Sequence, residues 1–256
     1  MKYNYKYQDI VNALKFVGVQ SGDTVFTHSN LGYFGMMQDA SSAENINSAF
    51  YNAFFEVLGD DGTLVVPTFS YSFCRNKDFD VNNTPGDCGM FSEYIREKSG
   101  AIRSYDANFS VAAIGRQALN YTKNVPEHSF GENSFWERLR KNDGRICNLN
   151  FDVGSTYVHY IEKALNVKYR YDKPFKGKVI DGEKIFEATY YHYVRDLEKP
   201  EDEPNFCRLT EEYKKTGQVK SANLGKGSIL AYNSSQLLDF VKDKLVTRPR
   251  FLLMKE

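Results

Sequence analysis

The chain has 256 residues, and its 33 lysines and arginines are matched by 33 aspartates and glutamates. That length suits one large α/β domain, or one domain carrying an elaboration. Neutrality and the lack of dense basic runs argue against a nucleic-acid partner held by phosphate neutralisation; no apolar run reaches membrane-spanning length, and residues 1–6 lack a signal-peptide core.

Cys74, Cys88, Cys147 and Cys207 form no CxxC motif and no Cys/His ligand pair. They read as free thiols in a reducing compartment, so a cytoplasmic protein with no disulfide framework and no metal is expected. Tyrosines and phenylalanines are abundant; most belong in a core, and some suit the wall of a pocket.

The first predicted element is a helix over 7–19, with Ile10, Val11, Leu14 and Val17 on one face. After the turn Ser21-Gly22-Asp23 comes a strand, Thr24 to His28, ending in Ser29-Asn30-Leu31-Gly32. Ligands gather past the carboxyl ends of strands in open α/β sheets, which makes Ser29 and Asn30 pocket candidates. Ser41-Ser42-Ala43-Glu44 opens a helix to about Leu58. The apolar run Thr63 to Phe69 predicts a strand buried on both faces, with Pro67-Thr68 at its carboxyl end.

Residues 71–87 are irregular and too long for a simple connection, the mark of a functional loop. A short helix over 89–98 precedes Arg103-Ser104 and the strand Ser110 to Gly115. Small side chains at Ser110, Ala112 and Ala113 suit either close approach of a ligand or tight helix packing. Helices are expected at 117–123 and, capped by Ser134, through Arg140; His128 lies in the loop between them.

The chain then reaches a strand, tight turn and helix. Ile146 to Leu149 is apolar, Gly154 breaks the run, Ser155 is a good N-cap, and Val158, Ile161 and Leu165 mark a buried face. His159 and Glu162 share another face of that helix within reach of each other. The pair suits a general base oriented by a carboxylate; spacing alone favours a surface ion pair. Lysines spaced by Pro and Gly over 173–178 suggest a loop. A hairpin turning at Asp181-Gly182, a helix over 206–215, strands near Gly225 and Gly227, and a helix capped by Ser234-Ser235 complete the chain. The expectation is one domain over 1–256, α/β with a largely parallel, helix-flanked sheet and a β-rich elaboration over 167–230.

Several motifs in order resemble the aminoglycoside N3-acetyltransferase family. They are Gly22-Asp23-Thr24-Val25 through His28-Ser29, Val66-Pro67-Thr68-Phe69, Arg103-Ser104 with Ser110 to Gly115, Phe130-Gly131 with Ser134, and Gly154-Ser155-Thr156 with His159 and Glu162. The resemblance spans roughly 7–253. It implies transfer of an acyl group from acetyl-CoA or another acyl-CoA to a primary amine of an amino sugar, with His159 as catalytic base and Glu162 as its partner.

On that reading Ser29 and Thr68 are the hydroxyls for the acyl group and its oxyanion. The pantetheine arm lies along Ser110, Val111, Ala112 and Ala113, with Leu31 and Ser104 beside it and Arg103 meeting a coenzyme phosphate. Asn30, Tyr71, Asp106 and Phe109 are assigned to the acceptor. Many antibiotic-modifying members carry histidine and proline where Asp106 and Ala107 stand, and a second histidine where Phe109 stands. That departure, with the neutral net charge, points to a nucleotide-linked amino-deoxysugar of surface-glycan synthesis as acceptor. An aminoglycoside is the alternative acceptor, and a non-catalytic carbohydrate-binding protein the alternative of another class; the acyltransferase itself is free to form a homo-oligomer.

Overall fold

The computed structural model describes residues 3–255. Its strands are β1 (Thr24–Phe26), β2 (Thr63–Pro67), β3 (Phe79–Asp80), β4 (Ile102–Arg103), β5 (Val111–Gly115), β6 (Arg145–Leu149), β7 (Arg170–Asp181), β8 (Lys184–Arg195), β9 (Lys220–Leu224) and β10 (Gly227–Asn233). Its helices are α1 (Tyr7–Phe16), α2 (Ala43–Leu58), α3 (Met90–Arg96), α4 (Ala118–Thr122), α5 (Phe135–Lys141), α6 (Tyr157–Ala164), α7 (Phe206–Lys214) and α8 (Ser234–Thr247).

Seven strands form the main sheet in the order β4-β5-β2-β1-β6-β10-β9. Only the centre is parallel: β1 pairs with β2 through Val25 and Leu64, and with β6 through Phe26 and Ile146. The outer pairings are antiparallel. The fold is therefore mixed α/β with a large helix-flanked sheet, its parallel part confined to three strands.

All five residues of β2 are buried, as a strand covered on both faces requires. On one face Leu14, Phe50, Phe54 and Phe91 pack against Val25, Leu64 and Val66. On the other, Trp136, Tyr157, Ile161, Leu209 and Leu237 pack against Phe26, Val65 and Ile146. Each such fully buried side chain contributes about 1.5–3 kcal/mol through loss of apolar surface to water. Helix starts follow side-chain chemistry: Ser42 accepts from the Asn45 N–H of α2, and Ser134 from the Glu137 N–H of α5. The last helix is capped by Asn233, one residue before the expected serines.

β7 and β8 form a long hairpin joined to β3 in a separate three-stranded sheet. Its two-residue turn is Gly182-Glu183, one position later than expected, with a positive φ of 60° at Gly182. Residues 173–178, expected as a loop, lie inside β7. Pro174 is tolerated because β3 reaches only Val179 and Ile180, so that edge needs no donor at 174. β9 and β10 belong to the main sheet, which limits the separate β-rich unit to the hairpin and β3.

Candidate active site

The central parallel strand pair delivers the chain from β6 into α6. Gly154 permits this turn: a Cβ there would lie 2.2 Å from the Cβ of Phe206, so α7 packs against bare backbone. Ser155 is not the N-cap expected. Thr156 occupies that position with helical φ and ψ and no capping bond, and the Ser155 carbonyl accepts from the Val158 N–H.

One turn into α6, His159 Nδ1 lies 2.8 Å from Glu162 Oε2. The Glu162 side chain is wholly buried, whereas the imidazole is 26% exposed. Arg170 Nε, at the start of β7, lies 2.7 Å from the same oxygen but off the line of its N–H, so the contact is an ion pair and not an aligned hydrogen bond. Burial pushes the Glu162 carboxyl up. The hydrogen bond from His159 and the charges of His159 and Arg170 outweigh it and hold the group below the usual carboxylate range. An ionised carboxylate only accepts, so Nδ1 carries a proton, and when the ring is neutral the lone pair lies on Nε2. No described residue hydrogen-bonds to Nε2.

His159 opens on a cleft of ≈ 520 Å³ between α6, the hairpin and the loop before β5. Phe109, Phe130, Phe175 and Tyr193 form its apolar wall; Arg170, Lys173, Arg195, Asp196 and Glu198 give it charges of both signs. The Phe130 ring meets the His159 ring edge-on at 5.7 Å, and Phe109 meets Phe130 at 4.9 Å. A second histidine, His192 on β8, lines the floor at 4% exposure. The Cys74 N–H donates to Asn108 Oδ1, which turns the Asn108 amide nitrogen toward His192 Nε2 at 2.9 Å. Nε2 is therefore an acceptor. Burial lowers the His192 pKa against the raising effect of Asp106, keeping the ring neutral.

Of the residues expected from sequence, His159, Glu162 and Phe109 come together here, and Tyr71 stands behind Phe109 at 5.4 Å between ring centres. The rest do not. Arg103 is 7% exposed and donates to Thr68 Oγ1, Ser110 Oγ and the carbonyls of Thr68, Val81 and Thr84. It ties the 71–87 loop to the sheet and has no free face for a phosphate. The Thr68 hydroxyl is spent in the same buried knot with Ser110, 3.0 Å away. Val111, Ala112 and Ala113 are fully buried beneath helices, so the small side chains serve packing and leave no channel.

Ser104 Oγ accepts from the Val111 N–H, and Asp106 Oδ1 accepts from the N–H groups of Asn108 and Phe109. Both residues shape their own loop and are almost wholly buried. Leu31 is core. Asn30 lines a different cavity, of ≈ 390 Å³, with Asn150, Phe151 and Lys226. Ser29 is half-buried at the end of β1 and lies outside the His159 cleft.

Arg170 and His192 were missed. Arg170 had one signal: a carboxylate buried on a helix needs a cation, and Arg170 is the first arginine after α6. His192 had none, because only the hairpin register brings it to Asn108. Among the described residues no group of three or more His, Cys, Asp or Glu side chains is placed to hold a metal, and no helix is long and apolar enough to cross a membrane.

Known proteins resemble this chain over most of its length. Aminoglycoside N(3)-acetyltransferase III of Salmonella sp is 26% identical over 204 residues, covering 70% of this chain and 68% of its own. Aminoglycoside N(3)-acetyltransferase VII of Streptomyces paromomycinus is 23% identical, covering 88% and 84%. Among solved structures, AAC-VIa bound to sisomicin superposes with a TM-score of 0.81 at 20% identity over 95% of this chain and 98% of that one. AAC-IIIb in binary complex with CoASH gives 0.80 at 17% identity over 98% of both. The aminoglycoside 3-N-acetyltransferase profile matches residues 26–246, well over half of the sequence, and the chain belongs to that family of N-acetyltransferases.

Proposed function

We propose that the protein transfers the acetyl group of acetyl-CoA to the 3-amino group of an aminoglycoside, with His159 as general base. The observation that carries the reading is the imidazole at the cleft, its Nδ1 held by buried Glu162 and its Nε2 free. The acceptor amine arrives as an ammonium and becomes a nucleophile when Nε2 takes its proton, directly or through one water. Glu162 stabilises the imidazolium that forms, and Arg170 keeps Glu162 ionised. The amine then attacks the thioester carbonyl in a ternary complex, with no acylated side chain; the C–S bond breaks, and the departing CoA thiolate takes up the proton held by His159.

The expected preference for a nucleotide-linked amino sugar is overturned. The family match over residues 26–246 and relatives named as aminoglycoside N(3)-acetyltransferases favour the alternative acceptor. Two of the physical arguments for a nucleotide sugar also fail, although Phe109 does line the cleft. Asp106 is 4% exposed and bonded to its own loop, so it does not face the cleft. A neutral total says nothing of local field, and the cleft lining holds Asp196 and Glu198 beside Arg170, Lys173 and Arg195.

The test is product identity. Incubated with acetyl-CoA and sisomicin, the protein is expected to release free thiol and give a product monoacetylated at the 3-amino group by NMR. Absence of thiol release, or acetylation elsewhere on the sugar, contradicts the proposal.

A further inference from the structure

Helix α6 ends in a turn that brings the chain straight back onto Glu162. Asn166 takes a left-handed φ of 49°. The Val167 N–H then donates to the Glu162 carbonyl at 3.2 Å, and the Asn166 N–H to the Lys163 carbonyl at 3.0 Å. Such a paired closure through a left-handed residue is a common way for helices to end. Tyr193 fastens the turn from β8, its hydroxyl donating to the Val167 carbonyl at 2.6 Å. Just beyond the turn, Tyr169 and Arg170 both reach the Glu162 carboxylate.

The two oxygens of Glu162 are unequally served. Oε2 lies 2.8 Å from His159 Nδ1 and 2.7 Å from Arg170 Nε. Oε1 is buried and has no hydrogen-bond partner among the described residues. The Tyr169 hydroxyl is also buried and also unpartnered among them. An acceptor without a donor and a donor without an acceptor each cost stability, and buried polar groups are nearly always paired. Burial, and after it the charge of Glu162, push the Tyr169 phenol up, so the group keeps its proton. The hydroxyl stands beside the carboxylate but off hydrogen-bond alignment. The ring has room to correct this, because Tyr169 also lines a separate cavity of ≈ 660 Å³ with Leu165 and Val167.

We propose that Tyr169 is a positioning residue for the transfer: its hydroxyl donates to Glu162 Oε1 when substrates fill the cleft, while Oε2 stays on His159. Catalytic hydrogen bonds are often long or misaligned in the free enzyme and tighten once substrate is bound. The proposal rests on the acetyltransferase reading above and adds a residue that acts only through Glu162. With Arg170 on one oxygen and Tyr169 on the other, the carboxylate is kept from rotating off Nδ1. A hydrogen bond to the charged form also favours that form, so Glu162 stays ionised as the imidazolium develops.

The experiment is a double-mutant cycle read in acetyl-CoA and sisomicin kinetics. Tyr169→Phe removes the hydroxyl and keeps the ring. Its kcat should fall about 3- to 10-fold, the worth of one hydrogen bond, with both KM values and the circular dichroism spectrum unchanged. The same substitution in Glu162→Gln should cost nothing further. There the glutamine carbonyl faces His159 Nδ1, and an amide nitrogen, which needs no donor, replaces Oε1. An unchanged kcat in Tyr169→Phe, or an equal fall in both backgrounds, overturns the proposal. Should Glu162→Gln not fold, the downfield proton resonance of His159 Nδ1 decides instead. Identified by its absence from His159→Ala, it should shift between the substrate-loaded wild type and substrate-loaded Tyr169→Phe; a resonance that stays in place overturns the proposal. Wild-type protein that releases no thiol overturns both readings, whereas an active wild type with an unaffected Tyr169→Phe overturns only this one.

Discussion

Glu162 and Arg170 meet at 2.7 Å, with their side chains 0% and 5% exposed. A carboxylate placed in a core usually protonates unless a cation accompanies it. Here the cation comes from the first residue of the hairpin, so the strand that roofs the cleft also keeps the partner of His159 charged. One ion pair thus serves both catalytic polarity and the attachment of β7 to α6, which Lys163 and Asp172 also join.

The first expectation concerns that pair. Glu162→Gln keeps an acceptor for His159 Nδ1 but leaves Arg170 unmatched, and breaking a buried pair costs about 3–5 kcal/mol. Urea unfolding should show a loss of that order. Loss of imidazolium stabilisation, at one pKa unit or more, lowers kcat by at least about tenfold. A variant as stable and as fast as the wild type contradicts both statements.

The same residue sets a pH dependence. The folded pKa of Glu162 lies below its ordinary value, so its contribution to stability is present above the unfolded pKa of about 4.3 and is lost as pH falls through the folded value. Melting temperature in the wild type should fall more steeply below about pH 4 than in Glu162→Gln. Parallel acid profiles for the two proteins are the contrary result.

Arg103 provides a contrast between a coenzyme ligand and a structural tie. Arg103→Ala strips donors from the carbonyls of Thr68, Val81 and Thr84. Charged hydrogen bonds are the strong ones, and about 3 kcal/mol or more of stability should be lost. The KM for acetyl-CoA of the folded fraction should stay. A raised KM with stability intact would restore the coenzyme role expected from the sequence.

Asp196 and Glu198 are the two acids in the lining of the His159 cleft, and we assign them to the cationic acceptor. Asp196→Asn combined with Glu198→Gln should raise the KM for an aminoglycoside by about 3- to 10-fold, the scale of two rim charges, and flatten its dependence on salt. The KM for acetyl-CoA should not move. A salt dependence equal to the wild type's would show that other groups read the cationic sugar.

Elements with local signals were legible in the sequence. Ser42 and Ser134 cap the helices they were expected to cap, and the all-apolar β2 lies in the centre of the sheet. The His159–Glu162 contact followed from helix spacing. What was not legible depends on long-range pairing. Pro174 and Gly177 resemble loop residues, yet the first lies on an unpaired edge and the second leaves room for the Phe73 ring, 2.7 Å from where a Cβ would stand. Ser110 to Ala113 carry the same small side chains whether they admit a ligand or a helix, and here helices cover them. Asp106 differs from the family pattern where its carboxylate accepts from its own loop, so its identity bears first on loop geometry.

The central claim is that His159 Nε2 removes the proton from the acceptor amine. Thiol release from acetyl-CoA with sisomicin, measured side by side for wild type and His159→Ala, tests it most directly. The expected result is a fall in kcat of about 10²–10⁴ with KM values little changed and an unaltered circular dichroism spectrum. Turnover by the variant near the wild-type rate would contradict it.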